Sequence, residues 1–545
     1  MLFSRPLRPA AFLRLALLIT ATALAFRLGE VPLLDSDEGR NAQVAREMAL
    51  TNNYVVPHLD GMPYLDKPIL YFAAEAALME FMGPTELAAR LPAYLFTLMT
   101  TAVVLWFARR TWGEEEGYVA AIVFLAMPLT VAFARIVIFD SALTFFVVVA
   151  TIAFYEAVER RERRWATLAW AAIAFGVLTK GPVAIVLPLF VAVPHAIWRK
   201  AFGKIWSAGG LIAFVAIVTP WVWAMQQAIP DFLQYVVVTE TAARLATKEL
   251  QRTGPPWYFI PYLVGGALPW SILALSALKK PTTGNRHPTT VFLLLWIVVP
   301  FLFFSISQSK RPQYILPLMV PVALLVASSW QTLRLRRTAI AFAVFGALLL
   351  MLPLAPQFES GMKPVLLGPA RVTAWGMGAA MLIGSLIAAT QKERRELALA
   401  ALAIPIALMP AIATPLMHAL AVRRSGHAVA AEVRPHLRPE TRIIGVNAFS
   451  GSLAFYLGRP ITLASDDGSE LTSNYILRRY DRFARQTDSP LKTPVWLEGE
   501  VNTCCAPRIF IARTGDRQAR SMLEQRRMRL ISQGERYVAY QSPGS

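Results

Sequence analysis

Three short motifs set a cation beside a proline: Asp66-Lys67-Pro68, Lys180-Gly181-Pro182 and Lys310-Arg311-Pro312. Proline is favoured at the first position of a helix, so each cation is expected just ahead of a helix N-terminus. The helix dipole disfavours positive charge there. A bound anion reverses that penalty, because helix N-termini and cations both attract phosphate. Lys67, Lys180, Lys310 and Arg311 are therefore candidate ligands of a lipid phosphate. A snorkelling lysine is the competing account of each motif taken singly.

The acidic counterpart is Asp35-Ser-Asp-Glu-Gly-Arg40. Asp37 and Arg40 are three apart and share a helical face. A carboxylate beside a cation stays ionised. It can accept a proton, orient a nucleophile or steady positive charge developing on a sugar ring. Helix capping by Ser36 or Asp37 explains one acid, but not the cluster with Glu38. Asp140, at a membrane edge, is a second candidate carboxylate, with Arg135 as its nearest cation in sequence. An ionisable group at that depth is functional by default. Tyr64, Asp66, Tyr314 and Arg252 complete the candidate substrate-binding set. No two histidines have metal-ligand spacing, so no protein-only metal site is expected.

The elements that position these residues belong to a membrane. The 545 residues are 55% hydrophobic and 16% charged, and mean hydropathy is +0.46. A soluble chain cannot bury so much apolar surface. About thirteen spans of some twenty residues are expected. Their centres lie near Leu17, Phe96, Ile122, Val148, Ala172, Val186, Ala216, Val264, Leu294, Val320, Phe345, Leu382 and Ile404. The net charge of +19 falls largely in short loops between spans. There it sets topology and meets anionic headgroups, so nucleic acid is not the expected partner. Alternating basic clusters put the N-terminus inside and the C-terminus outside. The first span is expected to stay as an anchor rather than be cleaved.

The expected domains are a transmembrane domain over 1–420 and an extracytoplasmic α/β domain over 421–545. Two long outer loops interrupt the first, at 27–85 and 226–256. The former carries two amphipathic stretches, Glu38 to Leu50 and Pro68 to Phe81, read as interfacial helices. In the α/β domain, strands are expected at Arg442–Val446, Arg508–Ala512, Met528–Ser532 and Tyr537–Gln541, and helices at Phe449–Leu457 and Asp516–Arg526. The two cysteines, Cys504 and Cys505, are adjacent and make no disulfide framework.

Asp37-Glu38-Gly-Arg40, Arg46-Glu47-Met48, Val55-Val-Pro-His58 and Tyr64-Leu-Asp-Lys67-Pro68 together resemble the first periplasmic loop of bacterial lipid A aminoarabinose transferases. That family stands with the protein O-mannosyltransferases among C-type glycosyltransferases that use polyprenyl phosphates. The resemblance implies a C-type glycosyltransferase fold in the bacterial inner membrane, with the active site and C-terminal domain periplasmic. It implies an undecaprenyl-phosphate donor carrying 4-amino-4-deoxy-L-arabinose and a lipid A phosphate as acceptor. From the residues no cofactor is expected to be required, with a divalent metal the unsupported alternative. The resemblance casts Asp37 as the catalytic carboxylate, Arg40 and Lys67 as donor-phosphate ligands, and Asp140 near the site. The family usually has Glu-Lys-Pro where this chain has Asp66-Lys67-Pro68, and the shorter acid reaches less far. Transfer of a hexose or other sugar to a protein or envelope glycan is the alternative enzyme reading. A lipid-linked sugar transporter is the non-enzyme one, although the repeated halves and broken helices common in transporters are not evident.

Overall fold

The computed structural model describes residues 8–236, 254–278, 286–333, 335–391, 393–502 and 507–543. All thirteen span centres lie in helices. Among the described residues, seven helices are long and apolar enough to cross a membrane, from Glu86–Thr111 to Arg395–Arg424. An eighth crossing would be the pair Phe259–Gly266 and Trp270–Leu278, bent by 97°. The bend falls at Gly265-Gly266-Ala267-Leu268-Pro269, a run that stops one helix and starts another. Pro9–Ala25, Val183–Trp198 and Pro312–Ser328 are apolar but shorter. Glu114–Leu125 and Arg163–Lys180, which hold the centres Ile122 and Ala172, carry charges at their ends. The spacing of apolar runs therefore locates the helices but overstates how many meet the length and hydropathy of a full span.

The chain divides into two compact units. The membrane unit comprises Met1–Leu28, Ala93–Trp223 and Val237–Leu416. Its core centres on Val119–Met127, Met319–Ala327 and Leu399–Ala403, nearly all fully buried. Several buried threonines inside it return to the backbone. Thr20, Thr97, Thr101 and Thr151 each donate to the carbonyl four residues earlier, at 2.7–2.8 Å. That is the inexpensive way to carry a hydroxyl where no water can serve it.

The second unit comprises Gly29–Pro92, Ala224–Val236 and Met417–Ser545. The first outer loop thus packs with the C-terminal segment. Its two amphipathic stretches are the helices Asp37–Thr51 and Leu70–Met82. Between them, β1 (His58–Leu59) and β2 (Met62–Pro63) form a hairpin. Its turn is Asp60-Gly61, both at positive φ, the pairing that a tight primed turn requires. Glu47 accepts from the backbone N–H groups of Asp60 at 2.6 Å and Gly61 at 2.9 Å, and so closes the turn against its helix.

The C-terminal sheet contains β3 (Arg442–Val446), β4 (Thr462–Ala464), β5 (Leu491–Lys492), β6 (Arg508–Arg513), β7 (Arg529–Gln533) and β8 (Tyr537–Gln541). The order is β5-β4-β3-β6-β8-β7. The first four are parallel, and β8 runs antiparallel to both β6 and β7. Ile444, Val446, Phe510, Ala512, Val538 and Tyr540 put one face into a common core, as period-two strands must. Helices at Gly451–Leu457 and Arg517–Gln525 are capped by Ser450 and Asp516, which accept from Leu453 N at 3.1 Å and Ala519 N at 3.0 Å.

Helix Asp37–Thr51 crosses helix Gly451–Leu457 at two glycines. A Cβ on Gly39 would lie 2.4 Å from Ser452 N, and one on Gly451 would lie 2.5 Å from the Arg40 backbone. Backbone here leaves no room for a methyl. Gly451→Ala is expected to destabilise the unit by about 1–3 kcal/mol, as overpacking does. Thermal unfolding of the purified protein checks this.

Candidate functional site

The acids of the Asp35–Arg40 segment part company in the structure. Asp35 is buried and ties the loop to the helix at Gly451. Its carboxylate accepts from Ser452 N at 3.0 Å, from the Ser452 hydroxyl at 2.8 Å and from the Ser450 hydroxyl. Burial pushes its pKa up, although these hydrogen bonds oppose the rise. Glu38 is also buried. Arg90 grips it with two bonds of 3.0 Å, and Leu34 N donates to it at 3.0 Å. Glu38, expected among the catalytic acids, thus has both oxygens engaged by protein donors that hold the loop. Asp37 is the open member, with its side chain 32% exposed.

Arg40 Nη2 donates to Asp37 at 2.7 Å, so the i, i+3 pairing expected from spacing is present. Nη1 donates to the Thr472 hydroxyl at 2.6 Å and carbonyl at 3.1 Å. The guanidinium carbon lies 5.6 Å from the ring centre of buried Tyr64, and Nε, although buried, has no partner. A fixed guanidinium with an unused donor is a ready anion ligand.

Asp66, expected among the substrate-binding residues, is met here by protein donors. Its oxygens accept from Tyr235 OH at 2.8 Å, Asn474 N at 2.9 Å and Tyr475 N at 3.2 Å. The short acid reaches backbone donors and anchors the loop to the C-terminal segment. Lys67, half-buried, bonds the Asp66 carbonyl and stands ahead of helix Leu70–Met82.

Glu75, which the sequence reading missed, is fully buried on helix Leu70–Met82, and neither oxygen has a hydrogen-bond partner. Burial, and then the charge of Glu38, hold its pKa well above the usual range. The unfolded chain releases this proton more readily than the folded one. The Glu75 contribution is therefore intact below the ordinary glutamate pKa and is lost as pH rises toward the folded value. Glu75→Gln is expected to raise the unfolding temperature at pH 8 and to flatten its decline from pH 5 to 8. Unfolding scans across that range check both.

The other cations lie in the membrane unit. Asp140 begins helix Asp140–Arg160, and Lys180 ends helix Arg163–Lys180. The two form a partly buried ion pair. Lys180 Nζ also sits 5.0 Å from the ring centre of Tyr314, so Asp140, Lys180 and Tyr314 converge. Arg135 donates instead to carbonyls of Leu24, Phe26 and Arg27, where the first helix ends. Lys310 is buried and donates to Ser305 O at 2.7 Å, Ser307 O at 2.8 Å and Phe304 O at 3.4 Å. It closes the end of helix Arg286–Ile306.

Lys180 and Lys310 therefore serve helix C-termini, where the dipole favours them. The Lys180 and Lys310-Arg311 motifs also both lead into a further helix, Val183–Trp198 with Pro182 as its N-cap and the 3₁₀ segment Pro312–Leu318. At Lys180, Gly181 has φ +90° and its N–H returns to Val177 O at 2.8 Å, the signature of a helix end. Arg252, Cys504 and Cys505 lie outside the described residues.

Residues 66–223 match the family model described as dolichyl-phosphate-mannose-protein mannosyltransferase. A protein of Pseudomonas fluorescens named undecaprenyl phosphate-alpha-4-amino-4-deoxy-L-arabinose arabinosyl transferase 1 is 33% identical over 300 residues, which is 54% of this chain and 55% of that one. Its counterpart from Erwinia tasmaniensis is 30% identical over 377 residues, 64% of this chain and 68% of the relative. The chain spans little more than half the length of the first of these. In structure, ArnT from Cupriavidus metallidurans bound to undecaprenyl phosphate superposes with a TM-score of 0.84 at 24% identity, covering 97% of each chain. This likeness establishes the shared fold: a polytopic helical membrane protein with a C-terminal sheet domain.

Proposed function

We propose that this chain, which belongs to the undecaprenyl phosphate-alpha-4-amino-4-deoxy-L-arabinose arabinosyl transferase family, moves 4-amino-4-deoxy-L-arabinose from undecaprenyl phosphate to a lipid A phosphate. The reaction takes place at the periplasmic face of the bacterial inner membrane. The observation that carries the reading is the pair of Asp37 and Arg40, with Arg40 stacked on Tyr64 and one donor unused.

An acceptor phosphate oxygen attacks the anomeric carbon, the bond from that carbon to the donor phosphate breaks, and the electron pair leaves with undecaprenyl phosphate. Charge grows on the leaving phosphate. Arg40 and Lys67 stabilise it, and preorganised charge of this kind is often the largest catalytic contribution. The acceptor is already anionic and needs little base catalysis. Asp37 therefore positions the amino sugar and steadies positive charge on its ring. In the membrane unit, Lys180 and Arg311 are the corresponding candidate anion ligands. Lys310 holds its own helix end. No cofactor is assigned.

The match of residues 66–223 to a mannosyltransferase model favours one second reading, transfer of a sugar to a protein hydroxyl. Asp37 would then act as general base. Mass spectrometry of lipid A from cells with and without this protein decides between them. A mass gain matching the amino sugar that disappears on deletion is expected. Unchanged lipid A, with loss of sugar from an envelope protein, would overturn the first reading in favour of the second.

A further inference from the structure

We propose that the crevice at the carboxyl ends of β3, β4 and β6 is a second binding site, for the phosphorylated saccharide headgroup of the acceptor. From β3 the sheet grows to one side through β4 and β5, while parallel β6 lies on the other side. Loops leaving β3 and β6 therefore diverge. In open α/β sheets such a switch point leaves a crevice where ligands bind. Here Asn447 follows β3 at φ +43°, Asp466 follows β4, and Asp516 follows β6. They line a cavity of about 660 Å³, joined by Arg513 and by Arg536 from the β7–β8 turn. That volume lies within the range of small-molecule sites.

The charges divide by task. Asp516 caps its helix, Asp467 accepts from Ser469 N at 2.8 Å, and Glu470 accepts from the Ser465 hydroxyl at 2.6 Å. Glu535 pairs with Arg423 at 2.9 Å. Arg513 and Arg536 are exposed, and among the described residues neither side chain has a hydrogen bond or ion pair, although Arg536 lies over the Tyr537 ring. Two unengaged guanidiniums suit a phosphate. Asp466 and the Asn447 amide suit sugar hydroxyls. The same arginines also line a smaller cavity of about 90 Å³ with Arg40, so the crevice adjoins that residue. Binding of the sugar phosphate rests on the crevice and its lining residues alone. Its identity as the acceptor's headgroup rests on the reaction proposed above.

The test uses the full chain in detergent, with glucose 1-phosphate, glucose and inorganic phosphate as probes in saturation-transfer NMR. Glucose 1-phosphate is expected to bind at least about tenfold more tightly than either of the others, and Arg513→Ala/Arg536→Ala to weaken it by about tenfold or more. The unfolding temperature should hold, since both side chains are exposed. Equal binding of the three probes, or equal binding by the variant, overturns the site. In transfer assays the double variant should raise the KM for lipid acceptor and leave undecaprenyl phosphate affinity intact; an unmoved KM overturns the acceptor assignment. If the unaltered protein transfers nothing to lipid A, the reaction fails, and the NMR experiment still decides the crevice.

Discussion

Asp37→Asn is expected to lower sugar transfer by on the order of 10²-fold or more, the loss typical of removing a preorganised electrostatic group. The change keeps the shape of the side chain and removes its charge. Asp37 is the one acid of its segment with an open face, whereas Asp35 and Glu38 are fully engaged by protein donors. Unfolding temperature should therefore barely move. Lys67→Ala should give a loss of similar size, together with weaker binding of undecaprenyl phosphate. The assay is transfer of labelled sugar by purified, folded protein. Full activity in both variants would remove the proposed site.

Arg90→Ala should act on stability, not chemistry, and should be severe. Arg90 and Glu38 side chains are 5% and 6% exposed. Arg90 also donates to Val31 O at 2.5 Å and Pro32 O at 3.3 Å. Removing one partner of a buried pair typically costs about 3–5 kcal/mol, because the other charge is stranded. Glu38 would be stranded beside Glu75, whose carboxyl is already pushed well above its usual pKa by burial and by the charge of Glu38. Changing Glu38 to Leu as well should recover only part of the loss, since the carbonyls of Val31 and Pro32 and the N–H of Leu34 would remain without partners. Thermal unfolding of the single and double variants measures this. A single variant as stable as the unaltered chain would show that the fork does not hold the loop.

Much of the site could be read from spacing, and the exceptions have physical causes. Asp37 and Arg40 meet because i, i+3 residues share a helical face. β8 falls where alternation placed it, at Tyr537–Gln541. Lysine followed by glycine and proline was ambiguous, because proline marks both the start of one helix and the stretch after the end of another. Lys180 and Lys310 took both meanings, each standing at the end of one helix just before a proline that opens the next. β4 and β5 have three and two residues, too few to show a period, and only their parallel neighbours make them strands. The divergence among Asp35, Glu38 and Asp66 was hidden for another reason. Their partners, Ser450, Arg90 and Asn474, are remote in sequence, and no local pattern can signal a carboxylate already occupied by donors from elsewhere.

The bonds from Asp35 to Ser450 and Ser452 have a temporal consequence. They join residues 415 and 417 positions apart, so the partner segment is made long after the loop. At about 20 residues per second, that interval is roughly 20 s. Throughout it, the nascent loop has no helix at Gly451 to rest upon, and Arg40 has no Thr472. Ribosomes that stall before Ser450 would hold chains in which the Asp35–Arg40 segment has no anchor, so the settling of that segment reports that synthesis has passed Thr472.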